Sequence, residues 1–154
     1  MDILIDHKEN MAKIIIRGMK DRPGLAASLF TILGNKGFNV EMISQGGISN
    51  GRTDLSFVII EEQADDVVNF LKERLSEIDA VDVEQEKDLA MIIIMGDKLV
   101  KTAGVAGKIL KGLADRNINI ELISTSFTTM SVLVSKGKIE EALDSINKKI
   151  AEIL

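Results

Sequence analysis

The chain reads as blocks of apolar residues whose period switches between that of a strand and that of a helix. Residues 12–19, around Ile14-Ile15-Ile16, form a β-rich run and predict a strand. Over 23–36, Leu25, Leu29, Ile32 and Leu33 fall on one helical face. Residues 38–46 predict a second strand. Ser49-Asn50-Gly51 predicts a hairpin turn, because Asn-Gly accepts the positive φ that tight hairpins need. Leu55, Phe57 and Ile59 alternate along a third strand, 52–60. Val67, Val68, Leu71 and Leu75 make the buried stripe of a helix over 63–76, and 80–85 predicts a fourth strand.

The pattern then starts again. "GLAASLFTILGNKGFNVEMISQ" (24–45) lies over "GVAGKILKGLADRNINIELIST" (104–125) at a constant offset of 80 residues. The strand before it, "KIIIRG" (13–18), matches "MIIIMG" (91–96), and "LSFVII" (55–60) matches "MSVLVS" (130–135). Two copies of one supersecondary unit follow. The order βαββαβ makes each an α+β, ferredoxin-like unit: an antiparallel sheet with both helices on one face. The second copy supplies strand 90–95, helix 105–116, strands 118–124 and 130–135, and helix 138–153, and lacks a fourth strand. A three-stranded sheet would leave an unpaired edge. Residues 2–7, with Ile3-Leu4-Ile5, are expected to cross over and complete it. The expected domains are 12–87 for the first unit and 2–8 plus 88–154 for the second, the first inserted in the second.

Composition narrows the function classes. Hydrophobic residues make up 45%, enough for a packed core, yet aromatics are 3%, so that core must be aliphatic. The net charge of −5 gives no electrostatic reason to expect nucleic acid or an anionic membrane. The absence of Cys removes disulfides, thiolate metal sites, Cys nucleophiles and a Cys-dependent metal chaperone, and fits a reducing compartment. No apolar run approaches the roughly 20 residues that span a bilayer. The acidic start, "MDILIDHKEN", does not read as a signal peptide. A cytoplasmic protein is expected, with no cofactor.

The stretch "MKDRPGLAASLF" (19–30) carries the candidate chemistry. Pro23 suits the first helical position, where a missing N–H costs nothing. Gly24 leaves the first-turn amides bare, and those amides with the positive helix end attract a carboxylate or phosphate. Asp21 adds one negative charge just outside. A free amino acid suits that pairing, its α-carboxylate on the donors and its ammonium on Asp21. Phosphate is opposed by Asp21 but favoured by the flanking Lys20 and Arg22. A plain helix start, with Asp21 complementing the dipole, is the bland alternative.

"KDRPGLAASLFTILGNKGFNVEMISQ", "GRTDLSF" and "GVAGKILKGLADRNINIELISTS" together resemble the tandem ACT domains at the C-terminus of aspartate kinases, over nearly the whole chain. The resemblance implies the same topology, the first ACT unit inserted in a second that borrows the N-terminal strand. It implies an allosteric module that binds lysine, threonine or both and inhibits the aspartate phosphorylation that opens the lysine, threonine and methionine pathway. It also implies a homodimer, with effectors between the first unit of one chain and the second unit of the other. Carried over by motif, Asp21, Pro23, Gly24, Leu25 and Ala26 would take the ligand's charged ends. Gln45 would reach a polar side chain, and Asn119 and Ile120 would offer backbone groups from the partner's unit. The second copy departs from the pattern: Ala103 stands where the family has Pro, and Phe127 and Thr129 where it has Glu and Lys. A second site around Thr102–Val105 and Ser124–Ser126 is therefore not expected to work. The kinase catalytic portion is absent, so no catalytic activity is expected here. Met1 suits a separate regulatory subunit, a paralogue or a truncated piece, with an aspartate kinase catalytic subunit as a possible partner.

Other constellations read as structure. His7, the only histidine, has no evident partner for base catalysis. Glu61-Glu62, Asp65-Asp66 and Glu140-Glu141 stand at helix starts, where acids offset the dipole. Glu41 and Glu121 occupy matching strand positions and suit edge or interface ion pairs, while the methionines read as core filler. The competing functions are a stand-alone dimerisation module without effector, a small ferredoxin-like phosphate-binding enzyme, and an RNA binder. The last would stack bases on sheet aromatics, for which Phe57 is the main candidate beside Phe38 and Phe127.

Overall fold

The computed structural model describes residues 3–153. Residues 2 and 154, predicted ends of the second unit, lie outside them. The strands are β1 (Leu4–Lys20), β2 (Met42–Gln45), β3 (Arg52–Ile60), β4 (Asp82–Met95), β5 (Leu122–Thr125) and β6 (Thr129–Ser135). The helices are α1 (Leu25–Asn35), α2 (Ala64–Lys72), α3 (Leu75–Ile78), α4 (Asp97–Lys101), α5 (Val105–Asp115) and α6 (Ile139–Ile153).

Separate strands were expected at 2–7 and 12–19, and at 80–85 and 90–95. Each pair is one continuous strand, β1 and β4. The residues between, Lys8-Glu9-Asn10 and Glu86-Lys87-Asp88, hold neither Gly nor Pro, so nothing there ends a strand. Asn10 and Asp88 instead take single left-handed conformations, at φ 58° and 59°. Both residue types tolerate that region. They occupy equivalent positions in the two copies, just before the Met11-Ala12 and Leu89-Ala90 pairs. The chain divides at these points into two compact units, Asn10–Lys87 and Met1–Glu9 with Asp88–Leu154.

In the unit Asn10–Lys87 the strand order is β2-β3-β1-β4. β3 runs antiparallel to both β1 and β2, with Ile14 opposite Phe57 and Phe57 opposite Ile43. Ala12, Ile14 and Ile16 of β1 and Leu55, Phe57 and Ile59 of β3 face Leu29 and Leu33 of α1 and Val67 and Leu71 of α2 in one apolar cluster. Phe57 is fully buried and meets Phe30 edge-on at 5.6 Å. Ile15 and Val58, on the alternate positions, are buried as well, which is why 14–16 and 57–59 read as unbroken apolar runs inside these strands. The β1–β3 register shifts between Ile16 and Met19. Gly18 sits in that bulge at φ 60°, where an added Cβ would lie 2.7 Å from the Val81 side chain.

In the other unit the order is β1-β4-β6-β5. Ala90, Ile92 and Ile94 of β4 and Met130, Val132 and Val134 of β6 pack on Ile109 and Leu113 of α5 and Ala142 and Ile146 of α6, and Ile3 and Ile5 pack against that cluster. Gly112 brings α5 close to α6: a Cβ there would stand 2.8 Å from Ser145 Oγ.

Four further expectations change. The strands predicted at 38–46 and 118–124 shrink to β2 and β5, because the preceding helices end in Schellman turns. The Phe38 N–H donates to the Leu33 carbonyl and the Ile118 N–H to the Leu113 carbonyl, both at 3.0 Å. The helix predicted over 63–76 breaks at Glu73-Arg74, where Arg74 lies over the Phe70 ring at 3.7 Å and donates to the Phe70 carbonyl at 2.8 Å. The helix predicted from Pro23 starts at Leu25, and α4 was not foreseen at all.

Candidate functional site

The first-copy turn is built from the end of β1 outward. The Lys20 N–H donates to the Asp79 carbonyl at 2.9 Å, and the Asp21 N–H to the Gly51 carbonyl at 2.8 Å. Gly51 belongs to the predicted hairpin, where Asn50 and Gly51 both have positive φ, 53° and 72°. Pro23 stands outside the helix rather than at its first position. Gly24 is the N-cap, left-handed at φ 92°, and that turn holds Pro23 back from the helical run.

No side chain caps α1, and its first turn carries no acid. The Leu25 N–H reaches the Arg22 carbonyl at 3.3 Å, and the Ser28 N–H the Gly24 carbonyl at 2.9 Å. Between them, the Ala26 and Ala27 amides have no acceptor among the described residues. An added Cβ at Gly24 would meet nothing within 4 Å, so the space before the helix is open. Asp21, Pro23, Gly24 and Ala26 are exposed, while the Leu25 side chain is buried in the core and anchors the turn. Among the described residues no cation pairs with Asp21. The arrangement is a bare, positively polarised helix end beside one unpaired carboxylate.

Gln45 ends β2, exposed, opposite Leu55. β2 runs up to the hairpin that holds Asp21, so Gln45 comes to the same end of the unit. Asn119 and Ile120 belong to the other unit, just before β5. Asn119 is exposed and donates to Glu121 Oε1 at 3.2 Å, as Asn39 does to Glu41 at 3.3 Å in the first copy. Ile120 is half-buried against the second core.

A polar network around the first turn was missed from sequence. Arg17 pairs with Asp54 at 3.0 Å and Glu84 at 2.9 Å. Arg52 donates to the Gly18 carbonyl at 2.7 Å and pairs with Asp79 at 3.2 Å. The Gly18 N–H, and after it Arg17, hold the Asp54 carboxyl below the usual carboxylate range. The hydrogen bonds that Arg17 donates to Glu84 and then to Asp54 raise its guanidinium further above its ordinary value. Thr53, a buried polar residue, donates to the Gly46 carbonyl at 2.8 Å. Gly18, Gly46, Arg52, Thr53 and Asp54 are among the residues lining a cavity of about 310 Å³. The only signal in the sequence was the charged "GRTD" after the turn, whose partners lie far along the chain.

The second-copy turn keeps the backbone and changes the side chains. Gly104 is left-handed at φ 85°, α5 has no side-chain cap, and the Lys108 N–H reaches the Gly104 carbonyl at 3.1 Å. Thr102 and Val105 line a cavity of about 280 Å³ with Leu99, Ala103, Thr125 and Met130. The Thr102 hydroxyl is turned away to the Lys98 carbonyl at 2.8 Å. Ser124 and Ser126 are exposed, and Phe127 is 90% exposed.

The remaining groups take structural places. His7 is exposed on β1, its backbone N–H on Asp6. Asp65, read from sequence as a solvated helix-start acid, accepts from Lys87 and Gln85, each at 2.9 Å, and ties α2 to β4. Lys87 first, then Gln85, hold its carboxyl low. Phe57 lies on the helix-facing side of the sheet and offers no surface for base stacking. Among the described residues no cluster of three His, Cys, Asp or Glu could hold a metal ion. No described helix is long and apolar enough to cross a membrane.

Comparison with known proteins fits this geometry. The family model for the ACT domain matches twice, over residues 14–75 and 92–150. A solved structure of aspartokinase alpha and beta subunits is 31% identical, with a TM-score of 0.85, over 96% of this chain and 97% of that one. The regulatory subunit of aspartate kinase from Thermus flavus is 29% identical, with a TM-score of 0.84, over 95% and 96% of the two chains. An aspartokinase of Helicobacter pylori is 36% identical over 139 residues, which are 90% of this chain and 34% of the relative. The chain thus spans about a third of the length of the curated relatives it matches.

Proposed function

The chain belongs to the ACT-domain family, as a tandem pair of the aspartate kinase regulatory type, and from that premise we propose that it senses a free amino acid, lysine or threonine, at the first-copy turn. The ligand's α-carboxylate sits on the Ala26 and Ala27 amides and the helix end, and Asp21 takes its ammonium. Pro23, Gly24 and Leu25 shape the cradle, and Gln45 meets the ligand's own side chain. A second copy of the chain supplies Asn119 and Ile120 and completes the site in a homodimer. The first unit's insertion within the second belongs to the same reading, supported by Ile3 and Ile5 packing on the second core.

Occupancy favours one arrangement of the dimer and passes that bias to an aspartate kinase catalytic part in the cytoplasm. The shift can be no larger than the ligand's differential affinity for the two arrangements. The observation that carries the reading is the pair of unpartnered amides at Ala26 and Ala27 beside an unpaired Asp21. Calorimetric titration of the chain with lysine, threonine, methionine and isoleucine tests it. Saturable heat from lysine or threonine is expected. No heat from any of the four would leave a dimerisation module without effector.

A further inference from the structure

We propose that Arg52 is a positioning residue for the amino-acid site: its guanidinium fixes the point at which β1 gives way to the Asp21 turn. The proposal rests on the reading of that turn as the effector site. Arg52 Nη1 donates to the Gly18 carbonyl at 2.7 Å and to the Asp79 carbonyl at 3.2 Å, and Nη2 donates to Asp79 Oδ1 at 3.2 Å. The same Asp79 carbonyl accepts the Lys20 N–H at 2.9 Å, and the residue before Arg52, Gly51, accepts the Asp21 N–H at 2.8 Å. One planar fork therefore joins the last residues of β1, the left-handed cap of α3 at Asp79 and the start of β3.

Arg52 is too exposed for this to be core packing, with 43% of its side chain accessible. Its role is directional. Asp21 has no ion pair of its own among the described residues, so only its backbone sets where its carboxylate points. That backbone hangs on Gly51 and, through Lys20, on Asp79. Arg52 locks both hangers to each other.

The second copy supplies the contrast. There the Gly96 N–H reaches the Thr128 carbonyl at 2.8 Å, and Phe127, 90% exposed, stands where the match of 130–135 with 55–60 puts the counterpart of Arg52. The copy without an acid in its turn is also the copy without the clamp. A fork needed only to close the fold would be wanted in both.

The test uses the full chain, free L-lysine and L-threonine as probes, and the variants Arg52→Gln and Arg52→Lys. Calorimetry gives the Kd, and amide hydrogen exchange reports Lys20, Asp21 and, as an internal control, Gly96. For Arg52→Gln the Kd of the responding amino acid should rise about tenfold, the scale of a lost charge-assisted hydrogen bond. Exchange at Lys20 and Asp21 should quicken while Gly96 stays as it was. Arg52→Lys, which keeps the charge but not the fork, should fall between. A Kd within about twofold of the parent chain overturns the proposal, whatever happens to the melting temperature. So does a raised Kd with Asp21 exchange unchanged. A parent chain that binds neither amino acid overturns the effector reading itself, and this proposal with it.

Discussion

The two helix starts, at Leu25 and at Val105, share a backbone and differ in their charges. Each follows a left-handed glycine, each lacks a side-chain cap, and each helix ends in the same Schellman turn. The first has Asp21, Pro23 and the Arg52 clamp. The second has Lys101, Ala103 and a short preceding helix, α4, in the matching place. What recurs in both copies is what the unit needs in order to fold. What occurs in one copy is free to serve a ligand. The bare amides are therefore a property of the fold, and the carboxylate beside them is the property to be tested for function.

The comparison can be broken at several levels. The largest effect should come from the core of the first copy. Phe57→Ala removes a fully buried ring and the partner of Phe30. It should cost about 3–5 kcal/mol in denaturant unfolding. Exchange in the second copy's strands, followed alongside, will tell whether the copies lose structure together.

Asp21→Ala should weaken the responding amino acid by about 10- to 100-fold, since it removes one charged partner of the ammonium. Calorimetry reads this directly, and the unfolding midpoint should hold. Unchanged affinity would remove Asp21 from the site. The reciprocal change, Lys101→Asp with Ala103→Pro, should give the second turn measurable affinity for the same ligand if charge alone separates the two.

Gly24→Ala and Gly104→Ala should each cost about 1–2 kcal/mol, from forcing a Cβ into the left-handed region. Neither glycine has a neighbour that a Cβ would strike, so the two costs should match. Unequal costs in thermal unfolding would mean that the two turns are not the same piece of backbone.

The smallest effect concerns pH. The folded-state pKa of Asp54 lies below its ordinary value, because the Gly18 N–H and Arg17 favour the carboxylate. Its contribution to stability is present above the usual carboxylate pKa of about 3.9 and is lost as pH falls through the lowered folded value. The group is about half exposed, so the change will be slight. Asp54→Asn should flatten the acid limb of the unfolding midpoint. It should do so while loosening the Gly18 amide, with no counterpart in the second copy.

Much of the fold was legible because it repeats. The match at an offset of 80 residues placed both helices and both short strands, and Asn50-Gly51 gave its hairpin. Bounds were legible only where a residue forces them. Phe38 and Ile118 read as strand because they are apolar, yet both close Schellman turns. Pro23 read as helical because its φ suits a helix, and a left-handed Gly24 kept it out. Of the candidate site, the sequence located the bare helix end and Asp21. It did not reveal Arg52, whose acceptors are Gly18 and Asp79.

By itself the sequence determined what depends on period and on local stereochemistry: one βαββαβ unit and a second copy of its first five elements, their apolar faces, and the glycines at the helix starts. These follow from each residue's own conformational range and from burial every second or fourth position. Tertiary structure alone decided that β1 and β4 run unbroken through Asn10 and Asp88, and that residues 18, 52 and 79 meet around one guanidinium. Hydrogen-bond partners separated by dozens of residues leave no period in a chain; they exist only after the strands have chosen their register.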